Sequence, residues 1–131
     1  DIVIASILHD ILEDTDVTYD CLTLSYGKRI ADIVKSVSFN PKITDHLEQA
    51  RILFENCINY GIESVIIKCS DLIENIDYVK FVEDSDKRNI LLKKYMLFLD
   101  MTKDILGGNK LYEILKDKVN ENMEFFRESL C

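Results

Sequence analysis

Ile62-Glu63-Ser64-Val65-Ile66-Ile67-Lys68-Cys69-Ser70-Asp71-Leu72-Ile73-Glu74-Asn75-Ile76-Asp77 is the stretch from which the fold is read. It reads as one helix, almost wholly apolar over Val65-Ile66-Ile67, and a helix of this kind is central and covered on most sides. Lys68, Asp71 and Asn75 stand at i, i+3 and i+7, within an arc of about 60° at 100° per residue. They make a single polar stripe on an otherwise apolar helix. A buried or half-buried Asp needs a partner, and a Lys, an Asn or a metal ion each serves. The bland alternative is a structural Lys68–Asp71 pair with Asn75 as its neighbour.

Outward from this helix the pattern stays helical. Toward the N-terminus, Asp45 to Tyr60 places Leu47, Ala50, Leu53, Phe54 and Cys57 inward, and Gly61 is a stop. Lys28 to Val37 carries Ile30, Ile33, Val34 and Val37 on one stripe, ended by Asn40-Pro41. A short helix precedes it, from a fresh N-cap at Thr15-Asp16-Val17-Thr18 to about Tyr26, with Gly27 as a bend. The first helix runs from Ile2 to Leu12. Toward the C-terminus, Asp84 or Asp86 caps a long helix to about Leu106, and Gly107-Gly108 turns the chain into a last helix ending near Leu130. In that last helix Leu111, Ile114, Leu115, Val119, Met123 and Phe126 are expected in the core. There is no repeat, low-complexity tract or linker composition, so residues 1–131 read as one all-α domain, a bundle of about seven helices.

Bulk numbers agree. The chain has 131 residues, 47% hydrophobic and 31% charged, with a single Pro, four Gly and no Trp, so breakers are few. Sixteen Lys plus Arg against 24 Asp plus Glu give a net charge of −8, which disfavours DNA, where affinity comes from neutralising phosphates. A small phosphorylated ligand remains compatible. Cys21, Cys57, Cys69 and Cys131 show no paired or metal-finger spacing and read as free thiols of a reducing, cytoplasmic compartment. No apolar run approaches the length of a membrane span. The start, Asp1-Ile2-Val3-Ile4, opens directly into a helical pattern without a basic leader, and the chain is expected to be truncated at its N-terminus. Nothing in the sequence fixes an oligomeric state.

The second chemically loaded stretch is His9-Asp10-Ile11-Leu12-Glu13-Asp14 at the end of the first helix. On a continuous helix His9 pairs with Glu13 and Asp10 with Asp14, and all four heads fall within roughly 140° of arc. One imidazole beside three carboxylates at a helix C-terminus repels itself and opposes the macrodipole, costs that a divalent cation relieves. The alternative is a solvated acidic helix end. The other histidine, His46, follows a loop and reads as surface.

In combination, His9-Asp10-x-x-Glu13-Asp14-Thr15 followed by Lys68-x-x-Asp71-x-x-x-Asn75 resembles the hydrolase domain of the RelA/SpoT family and the stand-alone small alarmone hydrolases. The likeness is dense from about Ile4 to Val37 and again from about Val65 to Ile76. It implies an HD (His-Asp) phosphohydrolase fold. It further implies one Mn²⁺, or another divalent cation, held by His9, Asp10 and Asp71, with Glu13 and Asp14 positioning and deprotonating the attacking water. Lys68 and Asn75 would shape the nucleotide site. The implied reaction removes the 3′-pyrophosphate of guanosine tetra- or pentaphosphate, the chemistry of the stringent response. Such a metal site also uses a further His on a helix ahead of the HD pair, which would precede Asp1.

The chain departs from that pattern at Leu72, Glu74 and Asp77, where the family usually has Arg, His or Tyr, and a basic residue. These departures support an alternative, an HD phosphohydrolase acting on another nucleotide. A third reading is a non-catalytic binding domain that keeps the HD fold.

Overall fold

The computed structural model describes residues 1–129, with side chains as far as Arg127. Among the described residues there are eight α-helices and one 3-10 segment, and no strand. The expected all-α class therefore holds. One α-helix is a single turn, which leaves the other seven as the expected set. The backbone divides into two compact units, Asp1–Lys68 and Cys69–Cys131. The boundary lies inside a helix, where no Gly, Pro or Ser enrichment marks it, and for that reason the composition reads as one domain.

The first unit holds α1 (Ile2–Ile7), α2 (Ile11–Asp14), α3 (Tyr19–Tyr26), α4 (Lys28–Ser36), α5 (His46–Tyr60) and the first half of α6 (Ile62–Asn75). Its centre is α4, which packs against α1, α3 and α5. Ile30, Ala31, Ile33 and Val34 of α4 are buried with Ala5, Leu22, Leu53, Phe54 and Cys57. Each such large side chain contributes about 1.5–3 kcal/mol when taken from water. A small polar node joins three helices: Ser36 Oγ lies 2.5 Å from Ser64 Oγ, and Cys57 Sγ donates to the Ser36 carbonyl at 3.3 Å. Caps set the helix starts. Thr18 accepts from Cys21 N–H at 3.2 Å and Asp45 from Glu48 N–H at 2.8 Å, each satisfying one orphan donor.

The second unit holds the rest of α6, a 3-10 segment (Ile76–Phe81), α7 (Ser85–Leu106) and α8 (Lys110–Ser129). The 3-10 segment packs on both α7 and α8, which also pack on each other. Asp84 opens α7 by accepting from the N–H groups of Asp86 and Lys87 at 2.9 and 3.2 Å. Leu92, Tyr95, Phe98 and Leu106 of α7 are buried, as are Tyr112, Leu115 and Val119 of α8. Asp77 anchors Lys118 at 3.1 Å, and that ammonium holds the Asp77 carboxyl below its ordinary range.

Three details differ from the sequence expectation. The first helix is not continuous to Leu12: α1 stops at Ile7, and the chain resumes as the four-residue α2 after a turn at Leu8-His9-Asp10. The cause is local. His9 Nδ1 lies 2.6 Å from the Ser6 carbonyl, and the backbone tightens to i→i+3 bonds, with Ile11 N–H on the Leu8 carbonyl at 3.0 Å. The long helix α6 ends at Asn75 instead of Asp77, passing into the 3-10 segment. In α8 the buried line is Tyr112, Leu115, Val119 and Asn122, while Leu111, Ile114, Met123 and Phe126 are only half-buried. Asn122 is fully covered and donates to the Lys118 carbonyl at 2.9 Å, so an amide occupies a place that hydropathy assigns to an apolar residue. Leu130 and Cys131, where the last helix and the fourth thiol were expected, lie outside the described residues.

Candidate metal and hydrolytic centre

The turn that interrupts the first helix has a chemical consequence. A carbonyl oxygen only accepts, so at 2.6 Å from Ser6 O the His9 Nδ1 carries the proton and donates it. The other ring nitrogen, Nε2, faces Asp10 Oδ1 at 3.0 Å. Either Nε2 is protonated and donates to Asp10, or its bare lone pair sits beside a carboxylate, an arrangement that calls for a cation. A metal-binding histidine is usually held in this way, with one nitrogen fixed on a backbone carbonyl and the other presented to the ion. His9 is mostly covered and Asp10 is open to solvent, their side chains 17% and 53% exposed.

Asp10 is the residue from which α2 starts, and Glu13 and Asp14 form its end. The break changes the expected pairing, since the four polar groups do not share one uninterrupted helix surface. Glu13 is half-buried and Asp14 exposed. Glu13 Oε1 accepts from the Phe39 N–H at 2.9 Å, across 26 residues of sequence. Thr15 closes α2: its hydroxyl donates to the Ile11 carbonyl at 2.6 Å and accepts from Val17 N–H at 3.1 Å, and the backbone turns extended. The Thr of the E-D-T triplet thus has a structural job.

Lys68, Asp71 and Asn75 all lie on α6, as expected. Lys68 is only 5% exposed, so nearly the whole side chain is covered. Asp71 is half-buried. Asn75 Nδ2 donates to both the Asp71 carboxylate and the Asp71 carbonyl at 2.8 Å, so its amide holds Asp71. Burial, and then the charges of Asp71 and Asp77, push the Tyr95 hydroxyl up to about 12. His9, Asp10 and Asp71 each offer one atom, an imidazole nitrogen or a carboxylate oxygen, of the kind that holds a divalent ion. His46 is exposed, as its loop position suggested.

Two further features of the first unit were not legible in the sequence. A cavity of about 680 Å³ is lined by Leu12, Asp32, Lys35, Phe39, Leu53 and Tyr60 among others. Beside it, Asp32 takes Tyr19 Oη–H at 2.6 Å and Lys28 Nζ at 2.5 Å. The Lys28 ammonium, then the Tyr19 hydroxyl, hold Asp32 below the ordinary carboxylate range. The other feature is the Phe39 N–H on Glu13, a backbone donor with no residue-type signature.

Comparison with known proteins gives a consistent answer. The chain is 30% identical over 126 residues to a Mycoplasma pneumoniae protein named probable guanosine-3′,5′-bis(diphosphate) 3′-pyrophosphohydrolase, an alignment over 86% of this chain and 16% of that protein. It is 34% identical over 97 residues to the Aquifex aeolicus guanosine-3′,5′-bis(diphosphate) 3′-pyrophosphohydrolase, covering 72% of this chain and 14% of the relative. The human guanosine-3′,5′-bis(diphosphate) 3′-pyrophosphohydrolase MESH1 is 32% identical over 72 residues, 55% of this chain and 40% of its own length. The chain thus spans well under two thirds of each of these relatives. No family model matches the chain. No solved structure matches it either. Among the described residues, no helix is long and apolar enough to cross a membrane.

Proposed function

We propose that this chain, which is similar to guanosine-3′,5′-bis(diphosphate) 3′-pyrophosphohydrolases, comes from a protein that hydrolyses the 3′-pyrophosphate of guanosine tetra- or pentaphosphate. The observation that carries the reading is the His9 ring, whose Nδ1 is committed to the Ser6 carbonyl while Nε2 is set against Asp10. A histidine held by one nitrogen in this way can present the other to a cation, which supports the reading. In this reading residues 1–131 act as a single HD-type domain in the cytoplasm, with a small phosphorylated nucleotide as partner.

His9, Asp10 and Asp71 are proposed to hold one divalent cation, with Mn²⁺ suited to the mixed imidazole and carboxylate donors. Bound there, the cation supplies positive charge that makes water more acidic and offsets charge on the phosphoryl oxygens. The chain's own groups do the rest. Glu13 accepts a proton from the attacking water, and Asp14 orients that water. Its oxygen bonds to the phosphorus attached to the ribose 3′-oxygen, the P–O3′ bond breaks, and the 3′-oxygen ends protonated. Pyrophosphate leaves and GDP or GTP remains. Asn75 holds Asp71 in its ligand orientation, and Lys68 adds a cation near the substrate phosphates.

Leu72 and Glu74 on α6 favour a second reading, hydrolysis of another nucleotide by the same centre. Incubating the longest natural form of the protein with Mn²⁺ and guanosine tetraphosphate, and following pyrophosphate release, separates the two. Metal-dependent release supports the first reading. Release from other nucleotides alone supports the second, and no release from any nucleotide overturns both.

A further inference from the structure

We infer that the backbone N–H of Phe39 is a positioning group for the Glu13 carboxylate, an inference that rests on the proposed role of Glu13 in the hydrolysis. Glu13 stands on α2, a helix of only four residues with no side-chain cap at its start. One turn of helix is below the length that sustains itself, because nucleation costs more backbone freedom than its first hydrogen bonds return. A flexible Glu on such a turn keeps a fixed orientation only if another element holds it. The Phe39 N–H does so at 2.9 Å.

The strap that carries this donor is itself pinned at both ends. Upstream it leaves α4, whose Ile33 and Val34 are fully buried along with the C-cap residue Val37. Val37 N–H returns to the Ile33 carbonyl at 3.2 Å, and the Ser38 hydroxyl donates to the Val34 carbonyl at 2.7 Å. Downstream, Gln49 of α5 donates its side-chain amide to the carbonyls of Asn40 at 2.9 Å and Ile43 at 3.1 Å. The Asn40 side chain closes the turn by accepting from Lys42 N–H at 3.0 Å. The Phe39 N–H is therefore a donor fixed by its neighbours, and it sets the plane of a carboxylate whose own helix cannot. Phe39 and Leu12, the residue before Glu13, also line the same cavity.

The test compares wild type with three single changes in the longest natural form of the protein. These are Phe39→Pro, Glu13→Gln, and phenyllactic acid at position 39, which replaces the N–H by an ester oxygen and leaves the ring in place. With Mn²⁺ and guanosine tetraphosphate, Phe39→Pro and the ester lower kcat about 10- to 100-fold, the usual cost of a misplaced reacting group, with KM held. Neither lowers it further in a Glu13→Gln background, because both act through the same carboxylate. A second readout needs neither metal nor turnover: in metal-free protein the Phe39 amide exchanges with solvent at least roughly 10-fold faster once Glu13 is changed to Ala. An ester variant with wild-type kcat, where Glu13→Gln is slow, overturns the inference and leaves the function standing. So do losses that multiply with Glu13→Gln, or an unchanged exchange rate. A Glu13→Gln enzyme as fast as wild type removes the role of Glu13 and the inference together.

Discussion

Asn75 binds Asp71 twice through one amide nitrogen, to the carboxylate and to the carbonyl, each at 2.8 Å. The two residues are one turn apart on α6, so the amide fixes the carboxylate rotamer against the helix. Resemblance assigns Asn75 to the nucleotide, whereas these bonds tie it to Asp71, one of the three proposed ligands. Asn75→Ala is therefore expected to weaken Mn²⁺ binding by about 10- to 100-fold, the usual worth of a group behind a metal ligand. Calorimetric titration measures this, and an unchanged metal affinity with a raised KM returns Asn75 to the substrate.

Asp71→Ala removes one of three proposed ligands and leaves His9 and Asp10 with the ion. Metal binding and turnover should both be lost. Mn²⁺ electron paramagnetic resonance and pyrophosphate release check it, and an active Asp71→Ala enzyme ends the metal-site assignment.

Glu13→Gln keeps the shape of the side chain and its acceptor for Phe39 N–H, but takes away the proposed base. Metal affinity should hold while hydrolysis slows by about two to four orders of magnitude. A rate near wild type means that Glu13 only decorates the surface of α2.

Tyr95 gives a pH prediction. Its folded pKa is raised to about 12, by burial first and then by Asp71 and Asp77, against 10.0 for the free side chain. The unfolded chain therefore releases this proton first. The contribution is fully present below pH about 10 and is lost as pH rises toward about 12, by about 2–3 kcal/mol for a shift of this size. Tyr95→Phe should keep stability that wild type loses between those values. Equal losses in urea melts at pH 9 and pH 11 count against it.

How much of this was legible in the sequence depends on the residue. The helices were, since Ile30, Ile33 and Val34 recur with the period of a buried face and Thr18, Asp45 and Asp84 are caps by type. His9 and Asp10 stood out as part of a costly acidic grouping at a helix end, and Asp71 as a polar group on a largely apolar helix. The interruption at His9 was not, because a ring nitrogen that competes for a main-chain carbonyl leaves the apolar period of α1 intact. Phe39 was invisible for a similar reason, as its contribution comes from a backbone donor that any residue but Pro supplies. Asn122 was missed because periodicity counts an amide as polar, while in α8 it turns its nitrogen back on the helix.

Gly27 has a backbone (φ 91°, ψ 162°) that L side chains rarely adopt, although no atom stands within 4 Å of an added Cβ. Gly27→Ala should thus cost roughly 1–3 kcal/mol through strain alone. Urea unfolding measures it, and a loss below the error of the method speaks against strain at this corner.

That corner also bears on the order of folding. Gly27 N–H closes the last turn of α3 on the Thr23 carbonyl at 2.9 Å, and its own carbonyl opens α4 by accepting from Ala31 N–H at 3.1 Å. No loop intervenes, so packing α3 on α4 requires almost no chain closure, and early contacts of this kind are kinetically the least demanding. The pair Tyr19–Ser36 is expected to be structured in the folding transition state, with Leu22→Ala slowing refolding more than it speeds unfolding. The strap that holds Glu13 leaves from the end of α4, so the placement proposed for Glu13 would be inherited from the first helices to dock.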